Sequence, residues 1–304
     1  MTDMVTYTER LPSAGETLVG ESFALGFGGK GANQAVMCSL LGASVRFVGC
    51  IGRDVFGEMT LESLESFGID TSAVLRTEAA ASGAAAIWVD STGENRIVIV
   101  PGANDLLDPD AVETAIRAMD ADVVLSQLEI PHACVERALR TGRDTGAVTV
   151  LNPAPMREIE VDAFRLCSWV IPNGSELRAI ARRLELDDAA EAPELTRDVG
   201  AELETEMVVT LGADGALLYE HGAGAVTSVP TPSADPVDTT GAGDAFVGAF
   251  AYAIARGAAP GEAASFGCSC ASGSVEARGT QTSFPRGARL DELKHAFGLD
   301  EASP

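Results

Sequence analysis

Residues 123–151 read VVLSQLEIPHACVERALRTGRDTGAVTVL. Val123 to Leu128 is a short apolar run with strand character. A helix follows from His132 to about Arg143, and Val148 to Leu151 is a second strand ending in Asn152-Pro153. Strand, helix and strand over this length make a βαβ unit. The alternation continues on both sides. Upstream, Val45 to Ile51 is strand-like and Phe56 to Phe67 has helical spacing. Downstream, Trp169 to Ile171 ends in Pro172-Asn173, a helix spans about Ser175 to Leu184, and Met207 to Leu211 ends in Gly212. The pattern predicts an α/β fold with a mostly parallel sheet and helices on both faces. Ligands on such sheets sit at the carboxyl ends of the strands.

Two regions break the alternation. Ala84 to Val89 and Asn95 to Val100 are strands joined by Asp90-Ser91-Thr92-Gly93-Glu94, a hairpin. Met4 to Tyr7 and Thr17 to Leu25 are also extended, with Pro12 and Gly15 between them. These pieces, from about 4–25 and 84–100, predict a small separate sheet that lies over the site as a lid. Asp187 to Glu194 reads as a solvated acidic loop. With no repeat and no linker, residues 1–304 read as one domain.

Composition excludes several classes. The 304 residues are 46% apolar and 22% charged, an ordinary globular balance. No run approaches the roughly 18 apolar residues of a membrane span. Met1-Thr2-Asp3-Met4 is neither a basic n-region nor an apolar h-region, so the expectation is a cytoplasmic protein with no membrane partner. Forty-five acids face twenty-one bases, a net charge of −24. No basic run is available to neutralise phosphates, which argues against nucleic acid as partner. Only two bases are lysines, Lys30 and Lys294. The acidic excess suggests adaptation to high intracellular salt, and a merely acidic cytosolic protein is the plainer alternative. The six cysteines show no C-x-x-C spacing, and the three histidines no metal-ligand spacing.

Four motifs carry chemistry. Gly28-Gly29-Lys30-Gly31-Ala32-Asn33-Gln34-Ala35 is a glycine-rich turn opening a helix from about Ala32 to Leu41. Taken alone it is more often structural than functional. Gly26-x-Gly28-x-x-Gly31 formally fits a dinucleotide fingerprint, but Asp54, the acid about twenty residues on, falls in a loop. Asp238-Thr239-Thr240-Gly241-Ala242-Gly243-Asp244 opens an apolar helix from Ala245 to about Ala255, with Thr239 or Thr240 as cap. The free N–H groups of Gly241, Ala242 and Gly243 form an anion site at the positive end of the helix dipole. Asp244 beside it suits a base that accepts a hydroxyl proton during phosphoryl transfer. An acid that merely answers the dipole is the plainer reading. Asn173-Gly174-Ser175-Glu176 is either a capping box or a polar pair organising Mg²⁺ and nucleotide phosphates. Thr210-Leu211-Gly212-Ala213-Asp214-Gly215 is a turn between strands, placed for nucleotide contact.

In this order and spacing, the motifs resemble the ribokinase family, within the PfkB group of sugar and nucleoside kinases, from Asp3 to about Pro285. The resemblance implies a ribokinase-like three-layer αβα sandwich and transfer of phosphate from ATP to a sugar, D-ribose first. It makes Asp244 the base and Gly241, Ala242 and Gly243 the anion hole. Sugar contacts fall on Asp3, Gly29, Lys30, Gly31, Ala32, Asn33, Glu129 and Asp244. ATP and Mg²⁺ contacts fall on Asn173, Glu176, Thr210 to Gly215, Gly243 and Cys268. A K⁺ site is implied at Asp238, Thr240, Ser274, Ala277, Gly279 and Ser283, and a homodimer through the lid. Kinases for fructose, deoxyribose or a nucleoside are the nearest alternatives. A nicotinamide oxidoreductase and a catalytically impaired sugar-binding protein are more distant ones. Two departures stand out. Met1 occupies the position where relatives carry an Asn after an apolar first strand, so that strand is absent. Its loss is expected to leave apolar surface beside strands without a neighbour, and the reading favours a start further upstream. Cys268-Ser269-Cys270 replaces the Asn or His that relatives often carry near the adenine.

Overall fold

In the computed structural model, which describes residues 1–92, 94–157 and 159–300, the alternation becomes a main sheet of six strands. These are β7 (Val123–Ser126), β8 (Val148–Leu151), β9 (Trp169–Val170), β10 (Glu206–Thr210), β11 (Ala216–Glu220) and β12 (Ala225–Val229), in the spatial order β12-β11-β10-β9-β8-β7. β7 to β10 run parallel, and β11 and β12 add antiparallel pairs. β3 (Gly49–Gly52) and β4 (Val74–Thr77) form a separate parallel pair. The pieces read as a lid form a separate four-stranded sheet in the order β2-β1-β5-β6, from β1 (Thr2–Tyr7), β2 (Ser22–Phe27), β5 (Ala84–Val89) and β6 (Asn95–Val100).

Side chains alternate across the sheet with period two. Val208 and Leu218 join one apolar cluster with α1 (Lys30–Leu40), α8 (Ala242–Ala255) and α9 (Pro260–Ser274). Met207, Val209 and Leu217 join the other, with α4 (His132–Thr145), α6 (Gly174–Arg183) and α7 (Ala192–Leu203). Two cores on opposite faces of one sheet make the three layers. Of the remaining helices, α2 (Val55–Ser66) packs on β3, α3 (Pro109–Arg117) on α4 and α10 (Ala288–Ala296) on α9, and α5 (Val161–Phe164) adds Phe164 to the second cluster. No helix among the described residues is long and apolar enough to cross a membrane.

α8 is buried almost throughout, which explains its apolar composition on all sides. Gly248 lets α1 approach it closely: a Cβ there would lie 2.8 Å from Gln34 O and from Met37 Cβ. That approach brings Asn33 and Gln34 to the first turn of α8.

Several boundaries differ from expectation. β2 starts at Ser22, not Thr17, because each of its residues pairs with one of β1, which ends at Tyr7. Only the second half of the expected strand from Val45 joins β4 as a ladder, with Arg46 bridging Asp70. The acidic loop is cut short by α7 at Ala192, and α8 begins at Ala242, not Ala245. Gly93 of the hairpin turn and residues 301–304 lie outside the described residues.

β3 and β7 are each the outer strand of their sheet, and both line a cleft of about 600 Å³. Val45, Phe47, Cys50, Val123 and Leu125 are among its walls, with Met1 and Glu129 also on the lining.

Candidate active site

Asp244 is the centre. It stands in the first turn of α8 and is 6% exposed. The cap of that helix is Gly241, with φ +81°, and not Thr239 or Thr240. Thr240 N–H instead donates to Asp238 Oδ1 at 2.9 Å. A residue with a side chain at 241 would be strained by its left-handed φ, and its Cβ would lie 2.4 Å from Thr280 Cγ2. The expected trio of free N–H groups is also corrected, because Ala242 N–H already donates to Thr239 O at 3.3 Å. Gly241 and Gly243 remain on the open side. They line a cavity of about 100 Å³ together with Lys30, Asn173, Glu176, Thr210 and Asp244.

Both oxygens of Asp244 accept from side-chain amides, Asn33 Nδ2 at 2.8 Å and Gln34 Nε2 at 2.9 Å. Burial pushes its carboxyl above the usual range, while Lys30 and these two amides pull it back. A buried carboxylate so held is poised as a base nearer to neutral pH.

On the side of the four-stranded sheet, the carboxylate of Asp3 lies against Gly28. Burial raises Asp3 to about 6, against the pull of the N-terminal ammonium and with the push of Glu129 and Asp244. Glu129 Oε2 accepts from Lys30 N–H at 2.7 Å. Burial raises Glu129 too, partly offset by that hydrogen bond. Gly29 borders Glu129, Gly31 borders Gln127, and Ala32 is buried in α1. Three carboxylates, a lysine and two amides therefore face one another where β1, α1, α8 and the segment after β7 meet. That set is rich in acceptors for hydroxyl groups.

At the carboxyl ends of β9 and β10, Asn173 and Glu176 do form a capping box. Asn173 Oδ1 accepts from Ser175 and Glu176 N–H, each at 2.9 Å, and Glu176 Oε2 accepts from Asn173 N–H at 2.8 Å. Burial raises the Glu176 carboxyl, opposed by that last bond. The capping role does not remove Glu176 from the site, because it also lines the cavity of Asp244. Thr210 bridges Asn173. Leu211 to Gly215 follow as a short turn, closed by Leu211 N–H to Gly215 O at 2.8 Å, with Gly212, Ala213 and Asp214 exposed. Cys268 is not brought to this cavity. Its side chain is 3% exposed within the core, and burial raises the thiol to about 11.

Asp238 ties two loops together, accepting from Thr240 N–H and from Gly279 N–H at 2.9 Å each. Burial pushes its carboxyl up but these bonds outweigh it, and the net shift is downward. Ser274 and Ser283 are buried, and Ala277 is exposed. Asp54, the acid of the formal dinucleotide pattern, instead caps α2 through Gly57 N–H. Four amides escaped the sequence reading: Gln34, Gln127, Asn152 and Gln281. Gln34 stands inside the first motif, but nothing local shows that it reaches a residue 210 positions away.

A model of the pfkB family of carbohydrate kinases matches residues 1–286. A ribokinase of Mus musculus is 38% identical over 291 residues, 94% of this chain and 89% of the relative. A deoxyribokinase of Salmonella typhi is 34% identical over 303 residues, 99% of this chain and 97% of the relative. The structure of a ribokinase from Arabidopsis thaliana, complexed with ribose and ATP, superposes with a TM-score of 0.86 at 30% identity, covering 96% of this chain and 95% of the other. Matched over nearly its whole length in sequence and in fold, the chain belongs to the pfkB family of carbohydrate kinases and is ribokinase-like within it.

Proposed function

We propose that the chain phosphorylates the primary hydroxyl of D-ribose with ATP, giving D-ribose 5-phosphate. One observation carries this reading: a buried, amide-held Asp244 shares a cavity with the start of α8, Lys30 and Glu176. Asp3, Asn33 and Glu129 supply acceptors for the sugar hydroxyls on the lid side. Gly29, Lys30, Gly31 and Ala32 shape that wall. The hydroxyl proton passes to Asp244 as the oxygen attacks the terminal phosphorus, and the bond from that phosphorus to the leaving ADP oxygen breaks. Negative charge on the transferred group is met by the Gly243 N–H, the helix dipole and the Lys30 ammonium. The lid excludes water that would otherwise take the phosphoryl group.

Asn173, Glu176 and the Thr210–Gly215 turn form the nucleotide side. Mg²⁺ prefers one or two carboxylates plus phosphates and waters; Glu176, with one oxygen engaged by Asn173, fits that demand. When bound, the ion neutralises charge on the nucleotide phosphates. The Asp238, Thr240, Ser274, Ala277, Gly279 and Ser283 set offers only oxygen donors, which suits K⁺, and Asp238 already joins its two loops.

Dimerisation through the lid is part of the same reading. The strand register puts Phe23, Leu25 and Val98 on the face opposite Asp3. They are 61%, 46% and 54% exposed, apolar side chains at the two edges of one sheet face that call for cover.

A second sugar, 2-deoxyribose, is favoured by the deoxyribokinase relative. Coupled ADP release with Mg²⁺-ATP and ribose, 2-deoxyribose, fructose or adenosine separates the readings. The fastest turnover is expected with ribose. Faster turnover with another acceptor overturns the sugar, and silence with all four overturns the kinase reading.

A further inference from the structure

We propose that Gln281 is a positioning residue for the base: it sets which way the Asn33 amide faces, and through it holds the carboxylate of Asp244. This rests on Asp244 being the base. Gln281 Nε2 donates to Asn33 Oδ1 at 3.0 Å, and Asn33 Nδ2 donates to Asp244 Oδ2 at 2.8 Å. All three residues are buried, between 5% and 6% exposed.

A primary amide is nearly symmetric in shape but not in chemistry. Turned by half a rotation, it offers oxygen where it had offered N–H. Nothing in the shape of Asn33 prevents that turn. Turned, it would set its carbonyl oxygen against a buried carboxylate. The donor from Gln281 removes this option, because it requires the oxygen of Asn33 on its own side. The other oxygen of Asp244 is held in the same manner. Gln34 Nε2 reaches it, while Gln34 Oε1 is kept turned away by a donor from Gln127.

Gln281 is itself well anchored. Its backbone carbonyl accepts from Arg286 Nη2 at 2.8 Å, and the Arg286 guanidinium lies 5.1 Å from the centre of the Phe67 ring. Its neighbour Thr280 packs against Gly241. One short segment thus touches both the start of α8 and the amide that holds the base.

The charged groups around Asp244 are Lys30 from α1, Asp3 from β1, Glu129 after β7 and Glu176 from α6. None of them is altered by changing Gln281. Two variants test the idea. Gln281→Met keeps the length and removes the donor; Gln281→Glu leaves only acceptors. We expect kcat to fall about tenfold in the first and about a hundredfold in the second, with KM for ATP nearly unchanged. The acid limb of the kcat–pH profile should move up by about one pH unit, since the charged form of Asp244 loses support. In an Asn33→Ala background, Gln281→Met should leave that limb where Asn33→Ala alone has put it.

A merely structural role lowers Tm but does not move the limb. An unmoved acid limb in Gln281→Met, or a full additional shift in the Asn33→Ala background, overturns the proposal. If Gln281→Glu does not fold, the Gln281→Met result decides alone. Asp244→Ala is measured in parallel. An active Asp244→Ala brings down the base assignment and this proposal with it. An inactive Asp244→Ala beside an unmoved limb brings down only the role of Gln281.

Discussion

Asp3→Asn tests whether the site holds charge that the fold would rather not bury. Folded Asp3 titrates at about 6 against 3.8 for the free side chain, chiefly through burial. The folded state therefore binds the proton more tightly than the unfolded state. The stabilising contribution of this group is present below about 3.8 and is lost as pH rises through about 6. A shift of this size corresponds to roughly 3 kcal/mol. Solvent at the partly exposed carboxyl screens it, leaving about 1–2 kcal/mol. Asparagine keeps the shape and never ionises. The variant should exceed the parent in stability by that amount at about pH 7.5, and by about half as much at about pH 5. In thermal unfolding followed by circular dichroism this is about 2–4 °C in Tm. The same variant should lose about 10- to 100-fold in kcat/KM for the sugar, as a charged acceptor for a hydroxyl is gone. A Tm below the parent's at about pH 7.5, or a gain that does not shrink toward about pH 5, refutes the reasoning.

Three further outcomes are expected. Gly241→Ala combines the strain of φ +81° with a Cβ 2.4 Å from Thr280 Cγ2; it should cost about 1–3 kcal/mol in denaturant unfolding and depress kcat more than sugar KM, and unchanged stability contradicts the assigned cap. Val98→Asp places a charge in the exposed apolar face of the lid and should convert a dimer to a monomer by light scattering, whereas an unchanged mass removes the lid from the interface. With 45 acids against 21 bases, Tm should rise as KCl goes from about 0.1 M to about 3 M, through screening of self-repulsion; a flat response removes the high-salt reading.

The parts legible in the sequence were those set by local chemistry. β8, β5 and β6 fall where the apolar runs place them, because turn residues bound each run on both sides. β2 was read too long because its length is fixed by its partner and not by its own residues. The start of α7 was hidden in acidic composition, although Pro193 in its first turn is a helix-start signal. Asp244, Asn33 and Glu176 were legible because each sits in a motif with a local reason for its residue types. Their mutual contacts were not. Asn33 and Asp244 are 211 positions apart, and Gln281 and Asn33 are 248 apart. Contacts of that range depend on how α1, α8 and the 278–283 segment pack. Gly248, whose missing side chain permits that packing, carries no signal of it in its own neighbourhood.

The account stands most directly on the base. Asp244→Ala, shown by its thermal transition to be folded, should release ADP with kcat lowered about 10²- to 10⁴-fold under saturating Mg²⁺-ATP and the preferred sugar. A kcat within a few fold of the parent's would contradict Asp244 as the group that takes the proton.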